Sequence, residues 1–161
     1  MKNMLLVFVT ILFLACNHSS SNASILQKKV DSLQVQIDNA YKPGLGEFMS
    51  QIQVHHAKLW FAGKYKNWEL ANFEVGEIQE ALDGIPKYCS DRPEVKSIDM
   101  IKPVLDSVEN AITERDENKF SKSFTLLTAT CNDCHKSTNH GFNLIKIPDI
   151  PPVSNQVFNP E

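Results

Sequence analysis

The sequence predicts an all-α fold: an up-down-up-down four-helix bundle with an extra N-terminal helix and an extended, Pro-rich C-terminal tail. Apolar residues recur at alternating spacings of three and four over several stretches, which is the periodicity of an amphipathic α-helix. No stretch shows the alternation of a strand flanked by hairpin turns. The longest regular stripe consists of Trp68, Ala71, Val75, Ile78, Leu82 and Ile85.

The N-terminus has the features of an export signal. Lys2 provides a positive charge, and the apolar run over residues 4–14 is too short to span a bilayer. We expect residues 1–15 to be a lipoprotein-type signal peptide, Cys16 to be the lipidated new N-terminus, and residues 16–24 to be a tether. Ordinary secretory cleavage at the same point is the alternative. Both routes deliver the chain to an extracytoplasmic, periplasmic space, and the lipid would anchor it to a membrane.

Residues 25–41 are predicted to form the N-terminal helix. Its apolar residues follow the a and d positions of a heptad repeat over barely two heptads. Isolated helices this short are only marginally stable. The helix is therefore expected either to assemble copies of the chain through residues 25–40 or to lie on the main body. The stripe consists of Leu26, Val30, Leu33, Ile37 and Ala40.

The first two helices of the bundle are predicted from the residues that begin and end them. The first covers about residues 46–62, and Gly63 falls in the position after a helix end that favours glycine. The second begins after Asn67, because asparagine is a good N-cap residue. It is expected to end at Gly84 and Pro86.

The last two helices complete a domain that covers residues 43–141. The third is expected to begin near residues 100–102, because that start leaves Pro103 in the first turn, where proline is tolerated. The fourth is expected to begin near residues 116–118. Residues 142–161 contain four prolines and are predicted to form an extended tail laid over the bundle.

A short motif lies at the end of the fourth predicted helix, where residues 131–135 read Cys-Asn-Asp-Cys-His. This C-x-x-C-H spacing is the pattern by which c-type haem is attached to proteins. Two thiols three positions apart on a helix can each add to one vinyl group of the same porphyrin, and the histidine that follows can ligate the iron. We therefore expect Cys131 and Cys134 to hold one covalent haem c and His135 to be an axial ligand.

Two other interpretations of the motif are open. A zinc site formed by its two cysteines and its histidine would need a fourth ligand, which His140 or Cys89 could supply. A thioredoxin-like dithiol would need a neighbouring βαβ pattern, which the sequence lacks. If haem and lipid occupy the other three cysteines, Cys89 is left over, either as an intermolecular bridge or as a half-buried thiol without a function.

Four amphipathic helices with C-x-x-C-H near the end of the last one resemble the cytochrome c-prime family and its low-spin relatives. The resemblance covers roughly residues 43–158. It implies a monohaem protein that passes single electrons between redox partner proteins. Small bacterial cytochrome c-like proteins are similar more narrowly at residues 56–63, 67–71, 131–135 and 140–142.

The resemblance also implies where a sixth iron ligand would come from. In an up-down-up-down bundle the start of the first helix lies beside the end of the fourth. Met49 occupies the first turns of helix one, and a thioether opposite a histidine raises the reduction potential of a haem. His55 or His56, further along the helix, is the alternative ligand. An iron without a sixth protein ligand is the third possibility.

Composition and charge limit the classes of function. The net charge is −3 and the pI is about 5.9. Because no basic stripe is present, no nucleic-acid partner is expected. The chain has no Ser/His/Asp set, paired catalytic carboxylates or Gly-rich phosphate loop, so no enzymatic activity is expected. The leading hypothesis is an exported, lipid-anchored one-electron carrier. The alternatives are a five-coordinate haem protein that binds or senses a diatomic gas, and a zinc-binding lipoprotein without haem.

Overall fold

The structure, a computed structural model, describes residues 22–38, 40 and 42–159 of the chain. Within these ranges every element of regular secondary structure is a helix and no strand is present. The prediction of an all-α protein is therefore confirmed. None of the helices in these ranges combines the length and the apolar content that a membrane span requires. The predicted signal peptide and Cys16 lie outside the described residues.

The described residues divide into two compact units, one up to Lys42 and one from Pro43 onward. The first unit contains a helix, α1, over residues 22–38. Its apolar stripe is exposed: Leu26 and Ile37, for example, are 61% and 62% exposed. Assembly of copies through this segment stays a prediction.

In the second unit, α2 (Leu45–Lys64) and α3 (Trp68–Tyr88) form an antiparallel pair. As predicted, the Asn67 side chain caps α3, accepting a hydrogen bond of 3.2 Å from a backbone N–H three residues on. Phe48, near the start of α2, packs its ring 6.2 Å from the ring of Tyr88, at the end of α3. Two consecutive helices whose opposite ends meet in this way run antiparallel.

Gly63 does not follow the end of α2, contrary to the prediction. The helix continues to Lys64, and the residue with a left-handed backbone is Lys66, with φ of 61°. A Cβ atom at position 63 would lie 2.1 Å from Cζ of Phe120. Glycine is required inside the helix because an aromatic ring packs directly against its backbone.

Gly84 and Pro86 do not end the second helix either. α3 continues to Tyr88 with Pro86 in its last turn, where the missing N–H removes only one helical hydrogen bond. A Cβ atom at position 84 would lie 2.7 Å from Cε1 of Phe48. Gly84, like Gly63, therefore marks a place where two helices approach closely and not a helix end.

A short helix, α4 (Val95–Ile98), lies between α3 and the third helix that the sequence predicts. α5 (Lys102–Thr113) begins where expected, with Pro103 in its first turn. α6 (Glu117–Ser137) also begins as predicted, because the side chain of Asp116 accepts a hydrogen bond of 3.0 Å from a backbone N–H of its first turn. The first-turn proline therefore located the start of α5 correctly, and the structure identifies Asp116 as the N-cap of α6.

One apolar core joins α2, α3, α5 and α6. The ring of Trp60 on α2 lies 5.0 Å from that of Phe124 on α6, and one turn earlier on α2 the ring of His56 lies 4.5 Å from the same phenylalanine. The largest side chains with almost no exposed area come mainly from these helices: Leu59, Ile78, Ile85, Leu105, Val108, Phe120, Phe124 and Leu127.

Residues 142–159 contain no helix and no strand. Near the beginning of this segment, Ile147 packs against the apolar core. Near its end, Phe158 is buried, with its ring 5.8 Å from that of Phe61 on α2. The segment thus contacts the helical core near both of its ends.

Candidate functional site

The cysteines of the motif lie on the apolar face of α6, near its C-terminal end. Phe124, Leu127, Cys131 and Cys134 follow one another at helical spacing, and all four belong to the core or pack against it. Cys134 is buried, and its thiol donates a hydrogen bond of 3.7 Å to the carbonyl of Ser97. Because both sulfurs continue the apolar stripe, α6 presents them on one side of the helix.

Burial keeps both thiols protonated. It raises the pKa of Cys131 to about 12 and also raises the pKa of Cys134 above its ordinary value. Catalytic dithiols require the opposite shift, because the thiolate is the reactive form. The environment of these cysteines therefore does not favour thiol–disulfide exchange.

The imidazole of His135 is oriented by a backbone carbonyl. Its Nδ1 atom lies 2.6 Å from the carbonyl oxygen of Asn143. A carbonyl can only accept, so Nδ1 carries the proton and donates it. The tautomer with this contact carries its lone pair on Nε2. Metal-ligating histidines are usually oriented and made more basic by such a bond to the other ring nitrogen.

Side chains on the segment that follows α6 present apolar surface next to this histidine. Phe142 and Leu144 flank the residue whose carbonyl contacts His135, and they are 85% and 64% exposed. These two side chains leave an exposed apolar surface on the loop that contacts His135. A porphyrin attached to the two cysteines fits this arrangement, because it is apolar and brings a metal that takes a histidine ligand.

Met49 on α2 lies at the same height as His135 on α6 when the contacts between the two helices are used to align them. The Nε2 atom of His56 on α2 lies 2.9 Å from the Thr128 hydroxyl on α6. Met49 precedes that histidine by seven residues, and His135 follows that threonine by seven residues. Since the two helices run antiparallel, both positions fall at the same height along the pair. Met49 is half-buried and packs against the core.

The two histidines of α2 have other partners. The buried His56 donates its Nε2–H to the hydroxyl of Thr128, which in turn donates to the carbonyl of Phe124. His55 pairs through Nδ1 with the carboxylate of Glu74, at 2.6 Å. An iron would have to displace the partner of the His56 Nε2 atom, whereas the partner of His55 occupies Nδ1 and not Nε2.

Because of His56, the free energy of unfolding is expected to be about 2 kcal/mol lower at pH 5 than at pH 7.5. Burial lowers the pKa of His56 from 6.5 to about 4 in the folded protein. Between these values the unfolded chain binds a proton that the folded chain does not bind, so stability falls as the pH falls through this window. Urea unfolding at the two pH values measures the difference.

His56→Gln is the matched variant for this experiment. Its amide N–H can still donate to Thr128, but it does not titrate. The variant should lose stability less steeply than the natural protein between pH 7.5 and pH 5. An equally steep loss in both proteins would contradict a buried, neutral His56.

Glu74 is a buried polar residue that was not identified from the sequence. Glu74 has no exposed surface, although it is a carboxylate. Its Oε2 contacts His55, while its Oε1 lies 3.9 Å from the ammonium of Lys58 and has no hydrogen-bond partner. Glu74 stands three residues after Ala71 and immediately before Val75, within the buried stripe of α3. Its position in the helical stripe was the signal that could have identified it.

Both side chains that could complete a zinc site contact backbone carbonyls instead. Cys89 is buried and donates its thiol to the carbonyl of Pro43, at 3.7 Å. The Nδ1 atom of His140 lies 2.7 Å from the carbonyl of Thr138. In the part of the chain that the structure describes, no three His, Cys, Asp or Glu side chains are grouped so that they could hold a metal ion.

Comparison of the chain with protein-family models, with curated proteins and with solved structures found no match.

Proposed function

We propose that the protein is an exported, lipid-anchored monohaem cytochrome that carries one electron at a time between redox partner proteins. In this proposal α2, α3, α5 and α6 form an up-down-up-down four-helix bundle of the cytochrome c-prime type. One haem c is held by thioether bonds to Cys131 and Cys134, and Nε2 of His135 is an axial ligand. The haem supplies the one-electron iron centre.

The hydrogen bond from His135 to Asn143 is the observation that carries this proposal. It assigns the proton of the neutral tautomer to Nδ1 and so leaves Nε2 as the nitrogen that would bind iron. The motif alone indicates which residues would hold a haem. This contact adds that the histidine already has the tautomer and a partner that haem ligation requires.

The chain's own residues have three tasks in this function. Cys131 and Cys134 fix the ring at the end of α6, and His135 provides its axial nitrogen. The exposed apolar side chains of Phe142 and Leu144 would cover part of the porphyrin and exclude water from it. Lower polarity around an iron centre is one of the means by which a protein sets its reduction potential.

Covalent haem in the mature protein is the decisive test. The protein should be expressed with its N-terminal signal in a host that attaches c-type haem, purified, and denatured. Haem that stays with the unfolded chain, and a mass increase of one haem on a peptide containing residues 131–135, are the expected results. Mature protein without the added mass, whose cysteines in the motif still react with an alkylating reagent, would refute the proposal.

Met49→Leu is expected to change the optical spectra of both oxidation states and to lower the midpoint potential. Leucine preserves most of the packing volume but removes the thioether, and methionine ligation raises the potential of a haem. Spectroelectrochemical titration measures both effects. Met100→Leu, at an exposed position, is the control and should leave them unchanged.

A gas-binding haem protein is the second candidate. It is favoured by the hydrogen bond between Nε2 of the buried His56 and the hydroxyl of Thr128, because this imidazole is then not free to close the sixth position. Unchanged spectra in Met49→Leu, together with ready binding of carbon monoxide by the reduced natural protein, would replace the electron carrier with this function.

A further inference from the structure

The side chain of Asn132 forms a two-point contact with the backbone of Ile145. Its Oδ1 accepts from the N–H of Ile145 at 2.7 Å, and its Nδ2 donates to the carbonyl of the same residue at 2.8 Å. Asn132 is the residue that follows the first cysteine of the motif. Among side chains of this length only a primary amide offers an acceptor and a donor side by side, so the contact depends on the identity of this residue.

The segment between α6 and Ile145 is attached to the helix at three places. The N–H of His140 donates to the carbonyl of His135 at 2.7 Å. The carbonyl of Asn143 accepts from the ring of His135 at 2.6 Å. The amide of Asn132 then holds Ile145, two residues further on. The carbonyl that orients the histidine therefore lies between two backbone attachments.

Asn143 has no comparable anchor of its own. Its backbone N–H donates to the carbonyl of His140 at 2.8 Å, which is a contact within the loop. The loop contains the highly exposed side chains of Phe142 and Leu144, which do not fix it by burial. The two hydrogen bonds that Asn132 makes to Ile145 are thus the side-chain contacts that hold the backbone just after the Asn143 carbonyl, before Ile147 packs against the core.

We propose that Asn132 is a positioning residue for His135: by holding Ile145 it keeps the Asn143 carbonyl against Nδ1–H. This inference rests on the proposed haem function and deepens it, because it assigns a role to a residue of the motif that neither attaches nor ligates the haem. A firm Nδ1–H···O=C bond fixes the ring orientation and increases the basicity of Nε2. A more basic axial ligand stabilises the oxidised iron and so holds the reduction potential down.

Two variants break the contact from opposite sides. Asn132→Ser removes both hydrogen bonds, whereas Ile145→Pro removes the backbone N–H and leaves the motif as it is. Ile145→Ala, which keeps the N–H, and Asn110→Ser, which makes the same chemical change at an exposed helical position, are the controls. Should Asn132→Ser fail to acquire haem, Ile145→Pro still tests the inference, because residues 131–135 are unchanged in it.

Two measurements on the purified protein test the inference. Hydrogen exchange of the backbone amides of Asn143 and Ile145 should become about tenfold faster or more in Asn132→Ser, since a lost hydrogen bond of about 1.4 kcal/mol corresponds to that factor. The same change is expected for the amide of Asn143 in Ile145→Pro. The midpoint potential of both variants should shift to more positive values, and both controls should resemble the natural protein.

The possible results separate this inference from the proposed function. If the natural protein carries no covalent haem, the proposed function fails. If it carries haem, but Asn132→Ser and Ile145→Pro exchange and titrate as their controls do, only the role of Asn132 fails. Faster exchange with an unchanged potential would also overturn it, because Asn132 would then hold the loop without acting on His135.

Discussion

Replacement of Cys131 and Cys134 by alanine in the same chain is expected to abolish covalent haem attachment completely. A thioether bond needs the sulfur, and no other pair of cysteines in the chain has the three-residue spacing that two vinyl groups of one porphyrin require. Alanine is chosen because both side chains pack in or against the apolar core, so a hydroxyl would add a polar group there. Haem should appear entirely in the dissociated fraction when the variant is denatured, and the chain should show no added mass.

Cys89→Ala is the matched control for this experiment. Like Cys134, Cys89 is buried and donates a weak hydrogen bond to a carbonyl, but it lies outside the motif. This variant should keep the full amount of covalent haem. Loss of haem in Cys89→Ala to the same extent would show that the cysteines act through stability, and covalent haem in the double variant would exclude the assigned attachment site.

The starts of the helices were predictable from sequence because they depend on local chemistry. Asn67 and Asp116 each accept a hydrogen bond from the first turn of the helix that follows, and this requires nothing from the rest of the chain. Pro103 in the first turn of α5 is a local feature as well. A pattern that involves only three or four neighbouring residues can be read without knowledge of the fold.

Helix ends near glycine were wrongly predicted for a physical reason. Gly63 and Gly84 are required by aromatic rings, those of Phe120 and Phe48, which come from other helices. The same residue type ends helices and permits close packing, and only the tertiary contact distinguishes the two cases. The sequence around each glycine does not contain that contact.

The candidate site shows the same difference between local features, which the sequence reveals, and tertiary contacts, which it does not. The spacing of Cys131, Cys134 and His135 is local and identified the motif directly. The partner of the histidine is a backbone carbonyl at Asn143, in a segment with no regular structure, so no residue type pointed to it. The pairing of Asn132 with Ile145 spans thirteen residues and was equally invisible. Backbone groups in irregular segments leave no trace in the sequence pattern.

The largest stability effect is expected when the buried carboxylate of Glu74 loses its partners His55 and Lys58. In the double variant His55→Leu with Lys58→Met, the carboxylate stays without exposed surface but has no group left to balance its charge. Removal of the partners of a buried charge costs about 3–5 kcal/mol, because the charge keeps its desolvation penalty. Chemical denaturation should show this loss as a lower midpoint with an unchanged denaturant dependence.

Adding Glu74→Met to this double variant should restore most of the stability. An apolar side chain of similar volume has no charge to desolvate, and replacement of a whole buried ionic cluster by apolar residues is often neutral or stabilising. Glu77→Met in the natural protein is the control: this carboxylate is more than one-third exposed and only approaches His55 at 3.8 Å, so it should cost less than about 1 kcal/mol. If the triple variant is no more stable than the double variant, the loss comes from the packing of His55 and Lys58, and the buried charge of Glu74 is not its cause.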